Sequence, residues 1–187
     1  MKFTQNFYFL IFASITSYAM HAPKPAIISA AEIGDLPTLQ NFLARGVDVN
    51  TVDQQHQANA LFWALERGQT NIADYLINHT NINVNARNGL GNSALLLAGF
   101  KHSQTIINAL LAKNDIDVTI ANKMGCTFLD FELVGDDTTT EKLKKILEKA
   151  NSDFFYEHGP RLAALAKEKG YHEVAQEIEN KIKIKLV

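Results

Sequence analysis

The chain has 187 residues, with 18 Lys+Arg against 20 Asp+Glu for a formal charge of −2, 47% hydrophobic residues and one cysteine. That balance suits a globular domain and argues against a disordered, collagen-like or multi-pass membrane protein. The near-neutral charge gives no basis for nucleic-acid binding, which normally shows a strong basic excess, and a lone thiol makes neither an internal disulfide nor a thiolate zinc site.

Lys2 is the only charge before residue 20, and the apolar run from Phe7 to Ile15 follows it, with small residues at Ser17 and Ala19. A basic start, an apolar stretch and small residues in that order predict a secretory signal peptide over residues 1–19, cut after Ala19, with 20–24 a short lead-in. Read instead as an uncleaved anchor, Phe3 to Ala19 gives 17 residues, several of them polar, against the ~20 apolar residues of a membrane span. The expected product is therefore exported, periplasmic or secreted, and free of the membrane once the signal is cut. An oxidising compartment suits a single Cys126, which has no partner in its own chain to mispair with.

From residue 25 onward the chain aligns with itself when shifted by 34 residues, and a repeat of that length decides the architecture. Ile27, Leu61, Leu95 and Leu129 share one column; Ala30, Ala64 and Ala98 share a second, broken by Glu132; Gly34, Gly68 and Gly170 share a third, with His102 and Asp136 between them. Outer-helix pairs recur as Phe42/Leu43, Leu76/Ile77 and Leu110/Leu111, each followed by a polar turn and Val49, Val84 or Val118. Successive units are expected over 25–58, 59–92, 93–126 and 127–160, with a Lys/Glu-rich capping unit over 161–185. Asn59, Ser93 and Thr127 are N-cap residue types, Gly34 and Gly68 suit helix ends that need a left-handed residue, and small Ala lets two helices pack closely. In the fourth unit the run Gly135 to Thr140 inserts extra residues before a helix over Glu141 to Lys149. The alternating tail from Lys181 to Val187 reads as a frayed helix end.

The stretches Ser29-Ala30-Ala31-Glu32-Ile33-Gly34-Asp35, Phe42-Leu43-Ala44-Arg45-Gly46-Val47-Asp48-Val49-Asn50 and Gly91-Asn92-Ser93-Ala94-Leu95-Leu96-Leu97-Ala98 resemble the ankyrin repeat family. The resemblance covers residues 25–185 and, with the signal-like start, suits an exported bacterial member. It implies an all-α solenoid of stacked helix-turn-helix units with short hairpin loops. Where the family opens its first helices with Thr-Pro-Leu-His, this chain has Asn59-Ala60-Leu61-Phe62, Ser93-Ala94-Leu95-Leu96 and Thr127-Phe128-Leu129-Asp130. The loss of His is expected to weaken hydrogen bonding between repeats.

No reactive set assembles from the sequence. Cys126 has no His or carboxylate beside it in Gly125-Cys126-Thr127; His172-Glu173 lacks a second His, since position 176 is Gln176; the Asp136-Asp137 run matches no calcium loop; Gly89-Leu90-Gly91 lacks the third glycine of a phosphate cradle. The Lys142, Lys144, Lys145 and Lys149 group, interleaved with Glu141 and Glu148, reads as a solvated helix face. Neither catalytic residues, a cofactor nor a metal is expected.

What remains is a recognition surface. In ankyrin-like stacks the hairpin tips and the exposed side of the first helices line a concave groove. The positions matching it are Trp63, Arg67, Leu90, Leu97, Phe100, Lys101, Met124 and Phe131, an apolar and partly aromatic groove flanked by two cations. Aromatic and Arg anchors in a concavity carry most binding energy, about 2 kcal/mol or more for the best of them. The function implied is a non-enzymatic adaptor, monomeric, that binds a protein partner through its concave face. A secreted effector acting on a host protein and an inhibitor or immunity protein against a toxin or hydrolase remain alternatives that use the same surface.

Overall fold

The computed structural model describes residues 23–135 and 138–184. The segment read as a signal peptide lies outside the described residues, as do Asp136 and Asp137. Ten helices are found among them: α1 Ala26–Ile33, α2 Leu36–Ala44, α3 Ala60–Glu66, α4 Thr70–Ile77, α5 Ala94–Phe100, α6 Gln104–Leu111, α7 Phe128–Val134, α8 Thr140–Lys149, α9 Ser152–Glu168 and α10 His172–Ile184. No helix among the described residues is long and apolar enough to cross a membrane.

The helix starts are set by their caps. The side chains of Asn59 and Ser93 accept from the backbone N–H of Phe62 and Leu96, each at 3.2 Å. Thr127 and Asp130 form a reciprocal capping box at the start of α7. Such bonds satisfy backbone donors that a helix start leaves open. The turn from first to second helix needs a left-handed residue, and Gly34, Gly68 and Gly170 supply it at φ 88°, 70° and 84°. His102 takes the same place at φ 53°, so the column survives a change of residue type.

The pairs α1/α2, α3/α4, α5/α6, α7/α8 and α9/α10 stack in two layers. First helices contact one another in the order α1, α3, α5, α7, α9, while α4 meets α6 and α8 meets α10 in the second layer. The Ala30, Ala64 and Ala98 column and the Ile27, Leu61, Leu95 and Leu129 column are all buried, and they belong to one continuous core. Each unit alone would leave its apolar face in water, so stacking is what makes the fold stable. This is the all-α solenoid expected from the repeat.

Between units the loops are sewn together by side-chain amides. Asn50 donates from Nδ2 to Asn81 O at 2.8 Å and accepts from Asn83 N at 2.8 Å; Asn85 does the same with Asp115 O at 2.7 Å and Asp117 N at 2.8 Å. The hairpins hold no strands among the described residues, only isolated bridges Val52↔Asn59 and Arg87↔Ser93.

The fifth pair starts earlier than the boundary at residue 161 anticipates. α9 begins at Ser152, because Asn151 Oδ1 accepts from Phe154 N at 2.8 Å, and the helix runs through Pro160 to Glu168. Gly159 keeps α10 close: a Cβ there would stand 2.8 Å from Ile182 Cδ1.

Arg161 of α9 grips Asp130 of α7, with Nη2 at 3.0 Å from Oδ2. Burial pushes the Asp130 carboxyl up, but the Arg161 guanidinium and the Thr127 N–H and hydroxyl outweigh it and hold it below the ordinary value of 3.8. A depressed carboxyl contributes stability above its unfolded pKa and loses it as pH falls through the folded one. Asp130→Asn should therefore cost about 1.5–3 kcal/mol at neutral pH, with the gap to wild type closing below the ordinary value of 3.8. Urea unfolding at a series of pH values checks it; a gap independent of pH would show that the ion pair contributes nothing.

Candidate functional site

Three of the expected surface residues stand out in solvent on the side formed by the hairpin tips and first helices: Leu90 is 68% exposed, Phe100 61% and Met124 86%. The tips are held by short side-chain turns. Asn88 Oδ1 accepts from Leu90 N and Asn92 N, each at 3.0 Å, and Asn122 Oδ1 accepts from Met124 N at 2.9 Å and Cys126 N at 3.0 Å. Asp53 Oδ1 plays that part in the first tip, accepting from His56 N at 2.5 Å. Neighbouring tips are bonded to each other, Gly89 N to His56 O at 2.7 Å and Lys123 N to Leu90 O at 3.1 Å. The apolar tip residues are thus presented on a fixed frame.

Phe131 is half-buried and meets Phe100 edge-on, with ring centroids 5.9 Å apart. Leu97 does not line the surface, and that expectation is corrected: it is 4% exposed and part of the core. The reason is its helix. In α5 every residue from Ala94 to Gly99 is buried, because α3 covers one flank and α7 the other, and a helix apolar all round belongs in a core.

Arg67 and Lys101 are on the surface but already engaged. Arg67 Nη2 lies 2.5 Å from Glu32 Oε1, and Lys101 Nζ 2.7 Å from Glu66 Oε2. Glu32 and Glu66 are one repeat apart, so these are successive rungs of a ladder between first helices. At the next rung the ladder stops, since Phe100 stands where an acid would be and Gly135 where its cation would be. The surface therefore divides into an ionic part running from the first unit to Lys101 and an apolar part, with exposed Phe100 and Val134, on the third and fourth units.

Trp63 is half-buried and packs against the core. Its indole N–H donates to Asp53 Oδ2 at 2.7 Å, and His56 meets it edge-on at 5.2 Å between centroids. The Lys24 ammonium sits 3.4 Å from the ring centroid and pairs with Glu32. Burial pushes the Asp53 carboxyl up, but the His56 N–H and the Trp63 indole N–H bring it down below the usual carboxylate value. Lys24 first, then Arg67, hold Glu32 below its usual value. Beside Trp63 a cleft of about 410 Å³ opens between the first and second tips, bounded by His56, Glu66, Arg67 and Leu90. Sequence reading missed Lys24 and Asp53 altogether. Lys24 precedes the first repeat column, and Asp53 sits in a turn one residue out of register with Asn88 and Asn122.

Cys126 is a free, half-exposed thiol in the third tip. Among the described residues no group of three or more His, Cys, Asp or Glu could hold a metal ion; Asp136 and Asp137 lie outside them.

Residues 27–122 match a family model described as ankyrin repeats, in three copies. No curated protein matches the chain. The helix pairs α7/α8 and α9/α10 continue the stack beyond the matched segment.

Proposed function

The chain belongs to the ankyrin-repeat family, and on that footing we propose that it is a non-enzymatic scaffold, acting as an exported monomer, that holds a protein partner against its hairpin tips and first helices. Ankyrin repeats are protein–protein interaction modules. One observation carries the reading for this side of the stack: Leu90 and Met124, on bonded turns, and Phe100, at the end of α5, are large, apolar and exposed. Water contact with such groups costs about 25 cal/mol for each Å² that a partner could cover, and a preformed frame loses little entropy on docking. Arg67 and Lys101, tied to carboxylates, set charge along the edge of the contact rather than anchoring it.

The test is affinity capture by the immobilised chain from its native compartment, with mass spectrometry. A chain carrying Phe100→Asp and Met124→Ser should lose capture about tenfold or more, as removal of hot-spot anchors does, while its far-UV circular dichroism stays unchanged. Equal capture by that chain would count against this surface.

A further inference from the structure

Trp63 is the one tryptophan in the chain, and charge surrounds it. Asp53 takes its indole N–H, Glu32 lies beneath the ammonium on its face, and Glu66 lines the adjoining cleft. Against these three carboxylates stand two cations of neighbouring first helices, Arg67, 5.6 Å from the ring centroid, and Lys101. One negative charge is left over, and Lys24 neutralises it. An aromatic face attracts a cation through its quadrupole, and a carboxylate at its edge accepts the ammonium hydrogens in charge-assisted bonds. Both features converge on one atom here, Lys24 Nζ.

Lys24 is not part of the stack. It precedes Pro25, the N-cap of α1, and its side chain reaches back over the second unit. An occupant held by side-chain contacts at the edge of the fold can be exchanged for a chemically equal one, and the Lys24 and Glu32 side chains, 26% and 20% exposed, leave the position open to solvent.

We propose that Trp63 and Glu32 form a binding site for a primary alkylammonium, filled in cis by Lys24, and that a lysine side chain of the docking partner takes it when Lys24 leaves. The identity of that occupant rests on the docking reading above; the ammonium site itself does not. Because Trp63 is the sole indole, its emission reports on the site directly.

Nα-acetyl-lysine methylamide is titrated at constant ionic strength into the full chain, into Lys24→Ala and into Lys24→Ala with Glu32→Gln, with Nα-acetyl-norleucine methylamide as the uncharged probe. Lys24→Ala should give a saturable shift in Trp63 emission with a midpoint about fivefold lower than wild type, whose tethered lysine competes. Adding Glu32→Gln should raise the midpoint about fivefold by removing the carboxylate, and the norleucine probe should give no shift. Thermal unfolding by circular dichroism confirms that each variant is folded. No shift in Lys24→Ala, equal midpoints with and without Lys24, or an equal response to norleucine would each overturn the site. A failed titration beside intact partner capture removes this site alone; lost capture beside a working titration leaves the site and removes the docking reading.

Discussion

Leu95→Ala is expected to lower stability by about 2–5 kcal/mol, the range for emptying a fully buried leucine site, and to break one unfolding transition into two. Leu95 is 0% exposed in α5, with α3 on one side and α7 on the other. In a quasi-one-dimensional stack, each unit is held by its own packing and by its contacts with neighbours. A cavity in the middle unit weakens both of its interfaces at once, so the units before and after it lose their coupling. Trp63 reports on the second unit and its contact with the first, whereas far-UV circular dichroism reports on all ten described helices. Urea unfolding of wild type should give coincident curves by the two probes, the mark of a two-state transition. In Leu95→Ala they should separate. Coincident curves with a loss under about 1 kcal/mol would show that the coupling is carried elsewhere, since a buried leucine truncation normally exceeds that.

The columns that make Leu95 central are legible in the sequence because burial repeats with the unit. Ile27, Leu61 and Leu129 share its place in the core, as the spacing predicts. Caps are legible too, since Asn59, Ser93 and Thr127 meet their helix starts within three residues along the chain. Even His102 is found by its column, though it lacks the freedom that glycine has for a left-handed turn. What the sequence hides is pairing across units. The lost family His suggests weaker bonding between repeats, yet Asn50 and Asn85 supply that bonding from the turns, 30–33 residues from their partners. Leu97 misleads for a related reason: its column also holds half-buried Trp63 and Phe131, and only the flanking helices decide that this member is covered. The Lys24 contact with Trp63 has no repeat to announce it.

Glu132 is the clearest conflict between the repeat pattern and the residue present, and it leads to the other large effect. It occupies the column of Ala30, Ala64 and Ala98, is 6% exposed, and would be a buried charge without help. Lys142 of α8 supplies the counter-charge at 2.6 Å, and Thr138 Oγ1 donates at 2.6 Å. Lys142 therefore departs from the solvated face expected of its lysine group; its ammonium also donates to Gln104 Oε1 of α6 at 3.0 Å.

Removing one partner of a buried pair leaves the other uncompensated, so Lys142→Met should cost about 3–5 kcal/mol. Replacing both partners by apolar groups is often neutral or stabilising, and Ala at 132 is what the other units already use. The chain with Glu132→Ala and Lys142→Met should thus return to within about 1 kcal/mol of wild type. Urea unfolding of wild type, the two single variants and the double closes the cycle. A double variant as unstable as Lys142→Met would place the value of Lys142 in its bond to Gln104 and its packed stem, not in Glu132. Recovery would mean that the ion pair adds little net stability and instead selects an arrangement: an acid in the Ala column tolerates only a neighbour that brings a cation, which ties α8 to α7 and sets the fourth unit apart from the three that precede it.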